Sequence, residues 1–210
     1  MTEDRLPDIA SLLPRDLAGE LLSLAMASGA TFADLYAEHA VITGFSLDEQ
    51  RVKTASYSVL QGVGVRAIRG ERTGYAYADG FSPGALREAA RVASAVARDA
   101  PPSATALDGR ARAFRVTEGA PPFVLRDPAT LALDEATRVA ILQRADRTAR
   151  AHDPRVHEVS VSLGTSAKSF LVANSDGDWA EDRNHLSRLV VTALALADGE
   201  RQEGFAAAGG

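Results

Sequence analysis

Residues 61–79 read QGVGVRAIRGERTGYAYAD. Two runs with β-forming character, Gly62–Ile68 and Thr73–Ala78, flank the polar link Arg69-Gly70-Glu71-Arg72, whose glycine can take the positive φ angle a tight turn demands. The block predicts a hairpin. Gly62 and Gly64 leave gaps where side chains would otherwise stand, so a sheet bend, close packing or a close backbone approach is expected there.

Working outward, the spacing of Leu17, Leu21, Leu24 and Ala25 predicts an amphipathic helix over Arg15–Ser28, closed by Gly29. From Thr31 the period changes to that of a strand, with Ala33, Leu35, Ala37 and Val41 on one side. Gly44 is expected to break this run, and Phe45, Leu47, Val52, Ala55 and Val59 continue it in strand-like pieces. Downstream of the hairpin, Ser82-Pro83 opens a helix over Gly84–Arg98 with Leu86, Ala90, Ala93 and Val96/Ala97 on a narrow face. Pro101-Pro102 ends it.

Residues 101–131 hold Pro101, Pro102, Pro121, Pro122 and Pro128 around one brief strand-like piece, Ala113–Val116, and read as a surface excursion. Asp134 then caps a helix to about Ala151, with Val139, Leu142, Ala145 and Ala149 inward. His157, Val159, Val161 and Leu163 alternate over Val156–Leu163, and Ser169–Ala173 forms a short apolar run. Asn174-Ser175-Asp176-Gly177 signals a turn, Leu186–Ala197 a long strand ending at Asp198-Gly199, and Arg201–Phe205 a return strand. The expected class is α+β: a largely antiparallel sheet with helices packed on one side, a two-layer sandwich. Halves of about 1–100 and 131–205 look alike in plan, joined by the Pro-rich excursion.

Composition narrows function. The acidic excess, 28 Asp and Glu against 23 Lys and Arg, gives a formal charge of −5 with the arginines scattered among acids, which argues against a nucleic-acid face. Apolar stretches stay well short of the ~20 residues that span a bilayer. With no cysteine and no basic-then-apolar leader, a soluble cytoplasmic chain is expected.

The search for chemistry yields little. None of His39, His152, His157 and His185 stands in an HExxH or HExxxH pattern, and His157-Glu158 lies in a strand that sends neighbours to opposite faces. Gly62–Ala67 matches GxGxxA, but a second β run follows where a dinucleotide fold needs a helix. Asp48-Glu49 and Glu181-Asp182 sit in polar, turn-like contexts that favour solvated carboxylates. No serine elbow is present. No catalytic, cofactor-binding or metal residue is assigned.

Phe32-Ala33-Asp34-Leu35-Tyr36, the 61–79 block, Val156-His157-Glu158-Val159, Val172–Gly177 and the glycine-rich end after Arg201 together resemble the TldD branch of the TldD/PmbA zinc metallopeptidases. The resemblance implies an amino-terminal α+β domain, residues 1–210, preceding a carboxy-terminal metallopeptidase domain. That later domain is expected to carry an HExxxH helix and a cysteine that hold zinc, all of which would fall beyond Gly210. It further implies a PmbA (TldE)-type partner subunit and unfolded or modified peptides as substrates. On this reading the chain alone is inactive, shapes a substrate channel and contributes to subunit pairing. The alternative is a non-catalytic binding or assembly module, a PmbA-like partner or a short natural relative.

Overall fold

The computed structural model describes residues 6–98, 115–116 and 133–210. The rest of the Pro-rich excursion, Pro101-Pro102 included, lies outside the described residues. Two helices, α1 (Ile9–Leu12) and α2 (Arg15–Met26), precede a meander of β1 (Phe32–Asp48), β2 (Arg51–Arg69) and β3 (Arg72–Asp79). Helix α3 (Pro83–Arg98) and the two-residue β4 (Arg115–Val116) follow. Helix α4 (Glu135–His152) then leads into a second meander of β5 (Val156–Asn174), β6 (Asp178–Ala197) and β7 (Glu200–Gly209).

All the strands join in one sheet ordered β3-β2-β1-β5-β6-β4, with β7 also on β6. Among the described residues only the β4–β6 contact, Arg115 with Asp178 and Val116 with Trp179, is parallel. The two meanders meet along β1 and β5, which run antiparallel from Asp34 opposite Asn174 to Asp48 opposite Ser160. The hairpin expected at Gly70 is present, with Gly70 at φ 60°.

One face of this sheet carries every helix longer than one turn. Near β3, Leu21, Leu22 and Ala25 of α2 and Leu86, Ala90 and Ala93 of α3 pack on Leu35, Val63, Val65, Leu171 and Trp179. At the other end Leu142 of α4 closes over Leu47, Val159, Val161 and Leu163. Val159, Val161, Leu163, Leu171 and Ala173 share one parity along β5, so both cores lie on the same side. Each fully buried leucine contributes about 2 kcal/mol. Gly74 sets the approach of α3: a Cβ there would stand 1.9 Å from the Ala93 carbonyl oxygen.

Several expected breaks are absent. Gly44 does not interrupt β1, because its backbone is paired on both sides, with Ser56 and with Gly164. The chain reverses instead at Glu49-Gln50, both at positive φ (47° and 62°). Likewise Val156–Leu163 and Ser169–Ala173 are parts of one strand, and β6 begins at Asp178 rather than Leu186. His157 is exposed, apart from buried Val159, since the register shifts between Val156 and Glu158. Val96 is half exposed, and Ala89 and Ser94 take its place in the buried face of α3. On α4, Arg138 and Asp146 are buried while Val139 is only half-buried. Arg138 donates to the Leu133 carbonyl (2.9 Å) and to the Thr43 and Thr165 hydroxyls, and its guanidinium lies 5.6 Å from the Phe45 ring.

Candidate functional site

The sheet face opposite the helices is the surface on which function can be built. Pairing places Tyr36, Gly64 and Tyr77 in one row across β1, β2 and β3, with Arg66 and Tyr75 in the next. Tyr75 and Tyr77 alternate with Ala76, so both rings stand on this open face, 60% and 69% exposed. A groove of about 340 Å³ runs over the glycines, bounded by Tyr36, Glu38, Leu60, Tyr75 and Tyr77. Its floor is closed to side chains: a Cβ on Gly64 would meet the Tyr75 hydroxyl at 2.7 Å, and one on Gly62 the Ala78 carbonyl oxygen at 2.7 Å.

Charges are arranged beside these rings. The Tyr36 hydroxyl donates to Glu38 at 2.7 Å, and the Lys168 ammonium approaches the same carboxylate at 3.8 Å while lying 5.3 Å from the Phe170 ring centre. Tyr36 and Phe170 are tilted neighbours with centroids 6.1 Å apart. Partial burial, reinforced by the hydrogen bond to Glu38, pushes the Tyr36 phenol well above its ordinary range. Tyr36 therefore stays a neutral donor. Arg66 holds Asp34 through two nitrogens, which raises the guanidinium further above its usual value. Further along the same face Gly44 lies opposite Gly164, opening a second groove of about 360 Å³ beside Ser46, Thr54, Ser162 and Arg188.

Residues weighed for catalysis do not converge. His39 is half-buried on the helix side of β1, with a buried Nδ1 that has no hydrogen-bond partner. His185 is buried in β6, His152 ends α4, and His157 is exposed at the start of β5. Among the described residues no group of three or more His, Asp or Glu could hold a metal ion. With no cysteine in the chain, these residues do not fit a zinc site. Asp48 accepts from the Ser160 hydroxyl (2.9 Å), and Glu49 pairs with Lys53 (3.9 Å) at the exposed turn. Glu181 and Asp182 lie within β6, not in a turn: Glu181 accepts from the Trp179 indole at 2.6 Å, and Asp182 from the Arg183 backbone N–H at 2.7 Å.

Of the readings of the glycine strand, close packing is the one its geometry shows. Gly62–Ile68 is paired on both sides, by β1 and by β3, so its backbone has no free edge to offer an incoming chain. Among the described residues the free edge lies earlier in β2, where residues 51–61, apart from Lys53 at the register shift, pair with β1 alone and are exposed throughout.

The described residues thus form an α+β scaffold with helices on one face and an aromatic groove on the other. The chain belongs to the PmbA/TldD metallopeptidase family: residues 33–97 match PmbA/TldA metallopeptidase domain 1, and residues 128–210 match the PmbA/TldA metallopeptidase central domain. It is 32% identical over 179 residues to a metalloprotease TldD homologue of Haemophilus influenzae and 29% identical over 178 residues to one of Buchnera aphidicola. Each alignment covers 85% of this chain but only 36% and 35% of the relative, so the chain spans about a third of their length. The fold is also that of TldE from Thermococcus kodakarensis (TM-score 0.71, 16% identity, 92% of this chain and 42% of that one). A candidate modulator of DNA gyrase from Bacteroides thetaiotaomicron shares it too (TM-score 0.75, 16% identity, 92% and 44%).

Proposed function

We propose that residues 1–210 form the amino-terminal domain of a TldD-like metallopeptidase subunit. In this reading halves of about 1–100 and 131–205 are built on one sheet, and the domain shapes the channel that receives unfolded or modified peptides. The observation that carries the reading is the open face: an aromatic cluster, Tyr36, Tyr75 and Tyr77, beside a groove floored by backbone. Such a surface takes varied side chains through ring contacts without demanding one sequence. Family membership and the curated TldD relatives support a peptidase context. The TldE-like fold supports pairing with a PmbA (TldE)-type subunit of similar plan. Zinc is expected in the intact family protein, in the cytoplasm, and the 210-residue chain by itself is expected to be inert.

The test is binding of a fluorescently labelled, permanently unfolded polypeptide to the chain, followed by anisotropy. Saturable binding is expected, weakened at least about tenfold by Tyr75→Ala with Tyr77→Ala, since losing aromatic anchors costs on the order of 2 kcal/mol. Equal affinity in the double variant would remove the open face from the reading.

A further inference from the structure

The aromatic groove changes character along its length. Leu60, Gly62 and Gly64 follow one another along its floor, since alternate residues of β2 share the open face. Leu60 is 53% exposed, with small Ala40 of β1 beside it and β3 already past its end. This is an apolar lip. Gly62 lies between Glu38 of β1 and Asp79 of β3, and Gly64 lies between Tyr36 and Tyr77. The Tyr75 ring folds over Gly64, its hydroxyl and two ring carbons 2.7–3.2 Å from where a Cβ would stand, and bounds that end. The order is therefore apolar lip, paired carboxylates, aromatic end, with about 7 Å from one stage to the next. Among the described residues only one of the two carboxylates meets a cation. Asp79 is exposed and its side chain has no partner there, while Lys168 approaches Glu38 at 3.8 Å from the β5 side, away from β2. Beyond Gly64, Arg66 and Asp34 cancel each other. The groove is left net negative.

We infer that the groove holds a basic side chain, lysine or arginine, of an extended peptide, with its stem over Leu60 and its charge over Gly62 between Glu38 and Asp79, beside the tyrosine rings. Strand spacing puts Glu38 and Asp79 about 5 Å to either side of Gly62, so a cation there reaches both. Tyrosine rings attract a cation through their quadrupole, and bare strand backbone lets it come close. An acidic side chain would be repelled, and a neutral one would displace water from the carboxylates without replacing it. An amino terminus has no stem to cover Leu60. The inference rests on the peptide reading of the open face and adds which residue of the peptide is recognised.

The test uses labelled peptides of alanine, serine and glycine, blocked at both ends and varied at one central residue, titrated into the 210-residue chain and followed by anisotropy. Lysine should bind about fivefold tighter than Nε-acetyl-lysine, the scale of an exposed cation–π contact joined by ion pairing. That ratio should fall toward unity in Asp79→Asn with Glu38→Gln, whose second change keeps an acceptor for the Tyr36 hydroxyl. It should persist in Glu200→Gln with Glu203→Gln, which removes as much charge from exposed β7. A lysine-free peptide with its amino terminus left free should bind like the acetylated one. Equal binding of the lysine and acetyl-lysine peptides, a ratio that survives loss of both groove carboxylates or vanishes with the β7 pair, or a free amino terminus that matches lysine would overturn the inference and leave the open-face reading standing. No saturable binding by any peptide would assign the groove to another protein surface and overturn both.

Discussion

Replacing Gly74 by alanine tests how the helices are seated on the sheet. In a strand, glycine normally weakens stability relative to alanine by about 0.5–1 kcal/mol, so the bare expectation for Gly74→Ala is a gain. Here the new Cβ would stand 1.9 Å from the Ala93 carbonyl oxygen and 2.7 Å from the Ala97 nitrogen, both backbone atoms of α3. Relief requires α3 to move by more than 1 Å, on the order of the shortfall from van der Waals contact. That movement separates Leu86, Ala89, Ala90 and Ala93 from the sheet. Overpacking of a tight core costs about 1–3 kcal/mol, and loosening a whole helix face puts this case at about 3. With a urea m-value of about 2 kcal/mol/M, the midpoint falls by about 1.5 M. Buried Trp179 provides the fluorescence signal. Gly164→Ala is the internal control, because nothing lies within 4 Å of its added Cβ, and it should gain about 0.5 kcal/mol. Equal effects of the two substitutions, or a stabilised Gly74→Ala, would refute the seating.

Leu142 is fully buried as the central contact of α4, and Leu142→Ala should cost about 3 kcal/mol by urea denaturation. Acid should destabilise the fold in a defined direction. Asp153, bound by the Arg155 side chain and backbone, is held well below the usual carboxylate range, and Asp134 is lowered by its hydrogen bonds to Thr137. A carboxylate whose folded pKa is depressed stabilises the fold above its unfolded value near 4 and loses that contribution as pH falls through the folded value. Unfolding midpoints should therefore decline below about pH 4, and less steeply in Asp153→Asn; identical acid profiles would contradict the pairing.

The hairpin at Gly70, the cap at Asp134 and the turns at Gly177 and Asp198-Gly199 were legible because each rests on a local preference the residue itself carries. The reversal at Glu49-Gln50 was not, since neither residue is glycine, yet both take positive φ between the paired Asp48 and Arg51. Alternation also fails as a guide over residues 51–61, where both faces are exposed and no apolar period is written. Arg138 escaped a hydrophobic reading of α4 because its burial depends on partners distant in sequence, Thr43 and Thr165, and Asp146 because its partner, Arg150 one helical turn on, is an ion pair that an apolar period does not show. At the candidate site the signal was present: Tyr75 and Tyr77, two residues apart in a strand, must share a face. What could not be read was which face the helices would leave open.

The central proposal is that this chain, a member of the PmbA/TldD family, is a domain that does not itself carry the peptidase's metal centre. Its most direct test is cleavage of an unfolded peptide by the purified 210-residue chain with added zinc, with and without a chelator. The account predicts no chelator-sensitive cleavage and no stoichiometric zinc retained after dialysis. Turnover that the chelator abolishes, with one zinc bound per chain, would contradict it.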